Sequence, residues 1–468
     1  MTPFRVLVVD DSPFMRKIFS DLIERDDRFR VVGTATNGKE AISKVKELKP
    51  DVITMDVEMP EMNGLDALRS IMESERQMVI MLSGVNEQGM RETILALEFG
   101  AFDFIRKPSI LNAQDIEQVG CELLCQLNAA MQAKERRALW EEEEQRRLDH
   151  SKATPLSPRP SDRQTPLRTS ESLKAPSTRS VRKEVSNVHK NNEEMQTVKL
   201  PKTDPFKSSV DSKVTKDRKG SVGKSKEQGI TPAPDINRVD RNDQLSNSKF
   251  LNQAAHKESD VKTEFVREHL IGQRFNQIVA VGCSTGGPRA LKTFLEGIPA
   301  DFPAPIVIVQ HMPPNFTKSL AQRLDTFSAL DVVEAYDGMF LKAGVAYIAP
   351  GGSHMTISQS MDGQFQITIR KGDPCNGHRP SVDVLFESLL PFSSLNRHVV
   401  LMTGMGSDGA KMMKKLYDSG VTSTFAESEE TCVVYGMPRS AVELGCVSYV
   451  LPLQNISGKL VQAVNISK

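Results

Sequence analysis

The stretch Ile278-Val279-Ala280-Val281-Gly282-Cys283-Ser284-Thr285-Gly286-Gly287 decides how the second half of this chain folds. An apolar run that breaks into Gly-x-Ser-x-Gly ahead of a helix is how a parallel sheet lifts a serine hydroxyl into a cleft. Helix-start amides then lie beside it, where they can hold an oxyanion. A serine hydrolase is therefore the first hypothesis. The same letters also suit a phosphate-binding loop at a helix start, or a plain strand-to-helix turn.

Two more apolar runs favour the hydrolase. Pro305 to Val309 leads into Gln310-His311-Met312-Pro313, and His398 to Met402 leads into Thr403-Gly404-Met405-Gly406-Ser407-Asp408-Gly409. In a parallel α/β sheet all carboxyl ends open on one edge, so Ser284, His311 and Asp408 can converge as nucleophile, base and orienter. The chain order Ser, His, Asp differs from the Ser, Asp, His of α/β-hydrolases and disfavours that fold. Singly, His311 reads as a hydrogen-bonded strand-end histidine and Asp408 as a turn or cap residue; three matched groups at three strand ends favour the triad. His354 and His378 lie in turn-rich stretches and read as structural or cleft-lining. His398 begins a strand and carries no expected role.

The 468 residues allow two or three domains. With 60 basic and 60 acidic residues the formal charge is zero, so no overall pull toward nucleic acid or membrane follows. No apolar run approaches the length of a membrane span and the start reads as a strand, which points to a soluble, cytoplasmic protein. Six cysteines without framework or metal spacing suit a reducing compartment. Cys121 and Cys125, one helical turn apart, read as small core residues, and Cys283 as packing beside the serine.

Composition divides the chain into three. Strands alternate with amphipathic helices from Met1 to about Leu148, and again from Phe275 to the end. Between Ser151 and about Asp260 the pattern vanishes. The aromatics there are Phe206 and Phe250 alone, basic residues exceed acidic ones, and Ser, Thr, Pro, Lys and Asn dominate. Such a segment cannot bury enough apolar surface to offset ordering, and a disordered tether is expected. The expected division is 1–125, 126–265 (a helical extension and polar linker) and 266–468.

The first segment reads as five strand–helix units, with strands near Arg5–Val9, Phe29–Thr34, Val52–Met55, Met78–Leu82 and Phe102–Ile105: a small doubly wound parallel sheet. At its strand ends stand Asp10, Asp11, Asp56, Ser83 and Lys107. Three carboxylates at one edge suit Mg²⁺, with a lysine and a hydroxyl placed for phosphoryl oxygens.

Through Val8-Val9-Asp10-Asp11-Ser12, Met55-Asp56-Val57-Glu58-Met59-Pro60, Met62-Asn63-Gly64 and Arg106-Lys107-Pro108, residues 1 to about 125 resemble a two-component receiver domain, of flavodoxin-like fold. The resemblance implies Asp56 as phosphoacceptor and Asp10, Asp11 and Asp56 as the Mg²⁺ site. It also implies Ser83 and Lys107 as switch hydroxyl and phosphate-pairing lysine, and Phe104 as switch aromatic. Residues from about 270 onward resemble the catalytic domain of chemotaxis protein-glutamate methylesterases, the CheB family. Besides the strand-end motifs, Tyr347-Ile348-Ala349-Pro350-Gly351-Gly352 and His378-Arg379-Pro380-Ser381-Val382-Asp383-Val384-Leu385-Phe386 carry the likeness.

This second resemblance implies a Rossmann-like doubly wound α/β esterase domain with Ser284, His311 and Asp408 as triad and the amides of Thr285 and Met405 as oxyanion donors. It implies hydrolysis of glutamyl methyl esters, and deamidation of glutamines, on cytoplasmic helices of methyl-accepting chemoreceptors, with no cofactor for the ester chemistry. A chemotaxis histidine kinase would be the phosphodonor, and phosphorylation would relieve blocking of the cleft through the α4-β5-α5 face. The family usually joins its domains by a much shorter connection, which leaves open whether the two domains pack here. A nucleotide-binding module is the first rival, but no ribose-binding acid follows the next strand; a DNA-binding output is the second, but no basic helix-turn-helix follows the linker.

Overall fold

The computed structural model describes residues 2–74, 77–84, 86–109, 112–153 and 275–466. The expected disordered linker and the expected boundary at 266 lie outside the described residues, apart from the linker's first few positions, which continue a helix.

In the N-terminal part, β1 (Phe4–Val9), β2 (Phe29–Ala35), β3 (Val52–Asp56), β4 (Met78–Ser83) and β5 (Asp103–Arg106) alternate with α1 (Pro13–Ile23), α2 (Gly38–Leu48), α3 (Gly64–Ser74), α4 (Glu87–Glu98) and α5 (Ala113–Ala153). The five strands form one parallel sheet in the order β2-β1-β3-β4-β5. Helices cover both faces, so Val6 to Val9 and Val79 to Leu82 are fully buried; this is why these strands read as unbroken apolar runs instead of alternating ones. The Ser12 hydroxyl accepts from the Met15 amide, and Pro13 opens α1, which turns the chain away from the sheet edge where Asp10 and Asp11 stand. Asp56 and Ser83 are the last residues of their strands, which run one residue further than the sequence placed them.

The helix α5 runs for 41 residues, well beyond the sheet it packs on. Its Leu123, Leu127 and Ala130 enter the core. Cys121 and Cys125 face outward and are exposed, contrary to the reading of them as core residues. Spacing one turn apart says only that the two share a face; the apolar stripe of the helix lies on the other one.

The C-terminal part holds β6 (Gln277–Cys283), α6 (Gly287–Glu296), β7 (Ile306–Gln310), α7 (Phe316–Asp325), β8 (Asp331–Glu334), β9 (Val345–Ile348), β10 (His354–Gln359), β11 (Phe365–Arg370), α8 (Val382–Glu387), β12 (Asn396–Leu401), α9 (Ala410–Asp418), β13 (Ser423–Glu427), α10 (Met437–Glu443), β14 (Tyr449–Leu451) and α11 (Leu453–Ile466). Seven strands form a parallel sheet in the order β14-β13-β12-β6-β7-β9-β8, and β10 and β11 make a separate antiparallel pair. The strand order runs away from β6 in both directions, so the crevice beyond its carboxyl end is a topological switch point. Ser284 follows β6, His311 follows β7, and Asp408 lies in the loop after β12.

Candidate active site

The strand-end register brings the three expected triad residues to one place. Cys283 pairs with Gln310 across β6 and β7, and the His311 amide donates to the Cys283 carbonyl at 3.2 Å, next to Ser284. On the other side the Ser284 amide donates to the Thr403 carbonyl at 3.0 Å. Gly404 lies so close that a Cβ there would stand 2.9 Å from Ser284 Cβ; any larger residue would push the loop that carries Met405 off the serine. The Gln310 side-chain amide donates to the Ser284 carbonyl at 3.0 Å and holds the elbow from below.

The pair His311 and Asp408 is buried and closed. Nε2 of the imidazole lies 2.8 Å from Oδ2 of Asp408. Oδ1 accepts from Asn376 Nδ2 at 2.7 Å, Ser381 Oγ at 2.9 Å and the Asp383 amide at 3.2 Å, while Oδ2 also accepts from the Val382 amide at 2.7 Å. Burial works against the charge of this carboxyl, but the bonds from His311, Asn376 and Val382 outweigh it and hold the group well below the usual carboxylate range. An ionised Asp408 makes Nε2 the protonated ring nitrogen and leaves the lone pair on Nδ1. That nitrogen is buried and has no partner among the described residues. The two ring nitrogens thus exchange the roles they have in the serine-protease triad, in which the aspartate takes Nδ1.

Ser284 is 9 % exposed, and its hydroxyl makes no hydrogen bond among the described residues, as is common for a nucleophile without substrate. The backbone N–H groups of Thr285 and Met405 are likewise unbonded among the described residues and flank the serine from its own elbow and from the Gly404 loop. Cys283 is fully buried, and burial pushes its thiol well above the ordinary value, which suits packing and rules it out as a thiolate nucleophile at neutral pH.

At the edge of the N-terminal sheet, ligand oxygens of Asp10, Asp11 and Asp56 lie within 4.8 Å of one another. Lys107 Nζ stands 2.8 Å from both Asp10 Oδ2 and Asp56 Oδ2. Burial pushes the Asp56 carboxyl up to about 6; Lys107 lowers it and the neighbouring Asp10 raises it further. Such a set of hard, mutually repelling oxygens fits a divalent cation. Ser83 is fully buried and shares a 2.6 Å hydrogen bond with the Thr93 hydroxyl.

A family model described as CheB methylesterase matches residues 279–460, and one described as response regulator receiver domain matches residues 6–118. Proteins named protein-glutamate methylesterase/protein-glutamine glutaminase from Geobacillus kaustophilus and Bacillus subtilis are 36% and 34% identical to this chain. The matches run over 464 and 460 residues, covering 99% of both chains in the first case and 98% of both in the second. The chain belongs to this methylesterase/glutaminase family. Among solved structures, the Thermotoga maritima CheB methylesterase catalytic domain is 45% identical, the match covering 40% of this chain and 99% of that one with a TM-score of 0.39. The response regulator domain of Thermotoga maritima CheB is 49% identical, covering 28% and 97% with a TM-score of 0.26.

In this methylesterase the receiver packs directly beside the serine. Thr285 Oγ1 donates to Asp103 Oδ2 at 2.5 Å, and Cys125 Sγ lies 3.9 Å from Met405 Sδ, so β5 and α5 touch both residues expected to supply the oxyanion amides. Phe104 stacks on Phe316 with ring centroids 4.6 Å apart, Glu98 binds Arg323 through both carboxylate oxygens at 2.8 and 2.9 Å, and Arg136 donates to the carbonyls of Cys432 and Val433. The question of packing left open by the long connection is answered here: the α4-β5-α5 face is occupied.

Sequence reading missed Asn376, Ser381 and Asp383. Asp383 Oδ1 accepts from the amides of Gly409 and Met412 and so fixes the start of α9 behind Asp408. Ser381 and Asp383 lie in the stretch from His378 to Phe386 already noted for its family likeness, whereas Asn376 lies just before it and carried no signal. His354 Nε2 donates to the Asp373 carbonyl, and His398 is locked between Ser423 and Gln277; neither bonds the serine.

Proposed function

We propose that Ser284, His311 and Asp408 carry the hydrolytic chemistry of this methylesterase/glutaminase, acting on glutamyl methyl esters and glutamines of cytoplasmic chemoreceptor helices. The supporting observation is the buried His311–Asp408 pair next to the Ser284 elbow, which leaves the imidazole's Nδ1 without a partner among the described residues. Nδ1 takes the hydroxyl proton as Ser284 Oγ attacks the side-chain carbonyl, and Asp408 stabilises the imidazolium that results. Negative charge grows on the carbonyl oxygen, to which the amides of Thr285 and Met405 would donate; each such donor is worth about 3 kcal/mol. The imidazolium returns its proton to the leaving oxygen and methanol departs, or ammonia from a glutamine. Water, deprotonated by the same nitrogen, then frees the glutamate.

The receiver reading assigns Asp56 as phosphoacceptor, with a sensor kinase as donor. Asp10, Asp11 and Asp56 would hold Mg²⁺, which when bound neutralises the phosphoryl oxygens. Lys107 pairs with the phosphoryl group in place of its present contacts. Ser83 leaves Thr93 to bond it, and Phe104 moves with the change, loosening the stack on Phe316 and the contacts at Thr285 and Met405. A cytoplasmic location follows from these partners. The test is release of methanol from methyl-labelled receptor membranes by wild type and by Ser284→Ala.

A further inference from the structure

One four-residue turn reaches both the base and the orienter of the proposed triad. Cys375 and His378 exchange two backbone hydrogen bonds, at 3.0 and 2.9 Å, around Asn376 and Gly377. Both central residues have positive φ, 53° and 81°, the conformation that a tight two-residue hairpin loop requires and that Asn-Gly adopts most readily. From the turn, Asn376 Nδ2 donates to Asp408 Oδ1 at 2.7 Å and to Asp383 Oδ2 at 2.8 Å. From its last residue, the His378 ring lies flat on the His311 ring, centroids 3.7 Å apart and planes 7° from parallel.

These contacts constrain the base in complementary directions. The Asp408 bond fixes where Nε2 points within the ring plane. It does not by itself stop the imidazole from rocking out of that plane about its own Nε2–Asp408 axis, which would swing Nδ1 off the serine. A second flat ring on its face blocks that motion. We propose that His378 is a positioning residue for His311, its ring acting as the stop that holds Nδ1 in line with Ser284, and that the Asn376-Gly377 turn sets this stop and the Asp408 carboxylate in a single rigid unit. The inference rests on the triad reading.

The stop must also tolerate the charge that forms beneath it. Burial, and then the charge of His311, hold His378 down to about 4, so at neutral pH it presents an uncharged π face to the imidazolium generated when Ser284 loses its proton. A neutral aromatic face attracts a cation, whereas a second imidazolium at 3.7 Å would repel it.

The test compares His378→Phe, His378→Gln and His378→Ala in the full-length, acetyl-phosphate-activated protein, on methyl-labelled receptor membranes, with folding checked by thermal melting. Phe keeps a flat ring without titratable nitrogen, whereas Gln keeps hydrogen bonding without a ring. Misplacing a general base costs roughly 10- to 100-fold in rate. Phe should therefore keep kcat within about 3-fold of wild type, while Gln and Ala lose about 10- to 100-fold in kcat with KM unchanged. The proposal is overturned if Gln outperforms Phe, if all three keep full kcat, or if the loss appears in KM alone, which would make His378 a substrate contact. Ser284→Ala, run alongside, separates the two readings: if it stays active the triad itself has failed, and if it is inactive while His378→Ala is unimpaired only the positioning role has.

Discussion

At the scale of single residues, charge is settled by partners and burial together. Asp408 stays ionised in a buried site because it accepts five hydrogen bonds; removing its charge as Asp408→Asn leaves the packing in place but puts the wrong proton on His311. Turnover should fall by about 10⁴-fold in a folded protein, read as kcat on methyl-labelled membranes. Loss of the nucleophile in Ser284→Ala or of the base in His311→Ala should cost at least as much. His398 shows the opposite case. It is fully buried between Ser423 and Gln277, and burial alone holds its imidazole down to about 4. Folding therefore favours its neutral form. Below the free value of about 6.5 the unfolded chain takes up a proton that the folded chain refuses, so this residue's contribution to stability is lost as pH falls from about 6.5 to about 4. The loss is on the order of 3 kcal/mol. Denaturant melts at pH 7 and pH 4.5 should show a smaller drop in His398→Gln than in wild type; an equal drop removes His398 from the account.

At the scale of elements, the strand ends do the assembling and the α4-β5-α5 face does the restraining. The Phe104–Phe316 stack, the Glu98–Arg323 pair and the Thr285–Asp103 bond join receiver to esterase within reach of the serine. Thr285→Ala removes the hydroxyl that binds Asp103 but keeps the backbone amide, so basal esterase activity should rise several-fold while the fully phosphorylated rate stays near wild type. Unchanged basal activity would show that this contact does not restrain the site. These elements differed in how far the sequence revealed them. The parallel strands were legible because apolar runs buried on both faces stop abruptly at functional residues, as at Val9, Met55, Val281 and Val309. The β10–β11 pair was not, although Phe365 to Arg370 alternates apolar and polar residues, because it lies off the main sheet and ends at no functional residue. Asn376, Ser381 and Asp383 escaped notice for another reason. Their roles depend on a loop folding back on Asp408, and nothing local in Asn-Gly-His-Arg-Pro-Ser says where that loop lands. The outward face of Cys121 and Cys125 was misread because two cysteines are too few to define a helix stripe.

At the scale of the whole molecule, a phosphorylation site and an ester-cleaving site are linked by direct packing. Phosphorylation by acetyl phosphate with Mg²⁺ should label Asp56, raise esterase activity and leave Asp56→Asn unlabelled by mass spectrometry; comparable labelling of Asp56→Asn would remove the phosphoacceptor assignment. Chelation of divalent cations should abolish labelling, since Asp10, Asp11 and Asp56 gather three carboxylates whose repulsion Lys107 offsets in part. The central claim is that Ser284 opens the ester with His311 as its base, and methanol release from methyl-labelled receptor membranes tests it most directly. Wild type activated at Asp56 should release methanol, and folded Ser284→Ala, activated in the same way, should release it several orders of magnitude more slowly. Methanol release by folded Ser284→Ala at a near-normal rate would contradict the account.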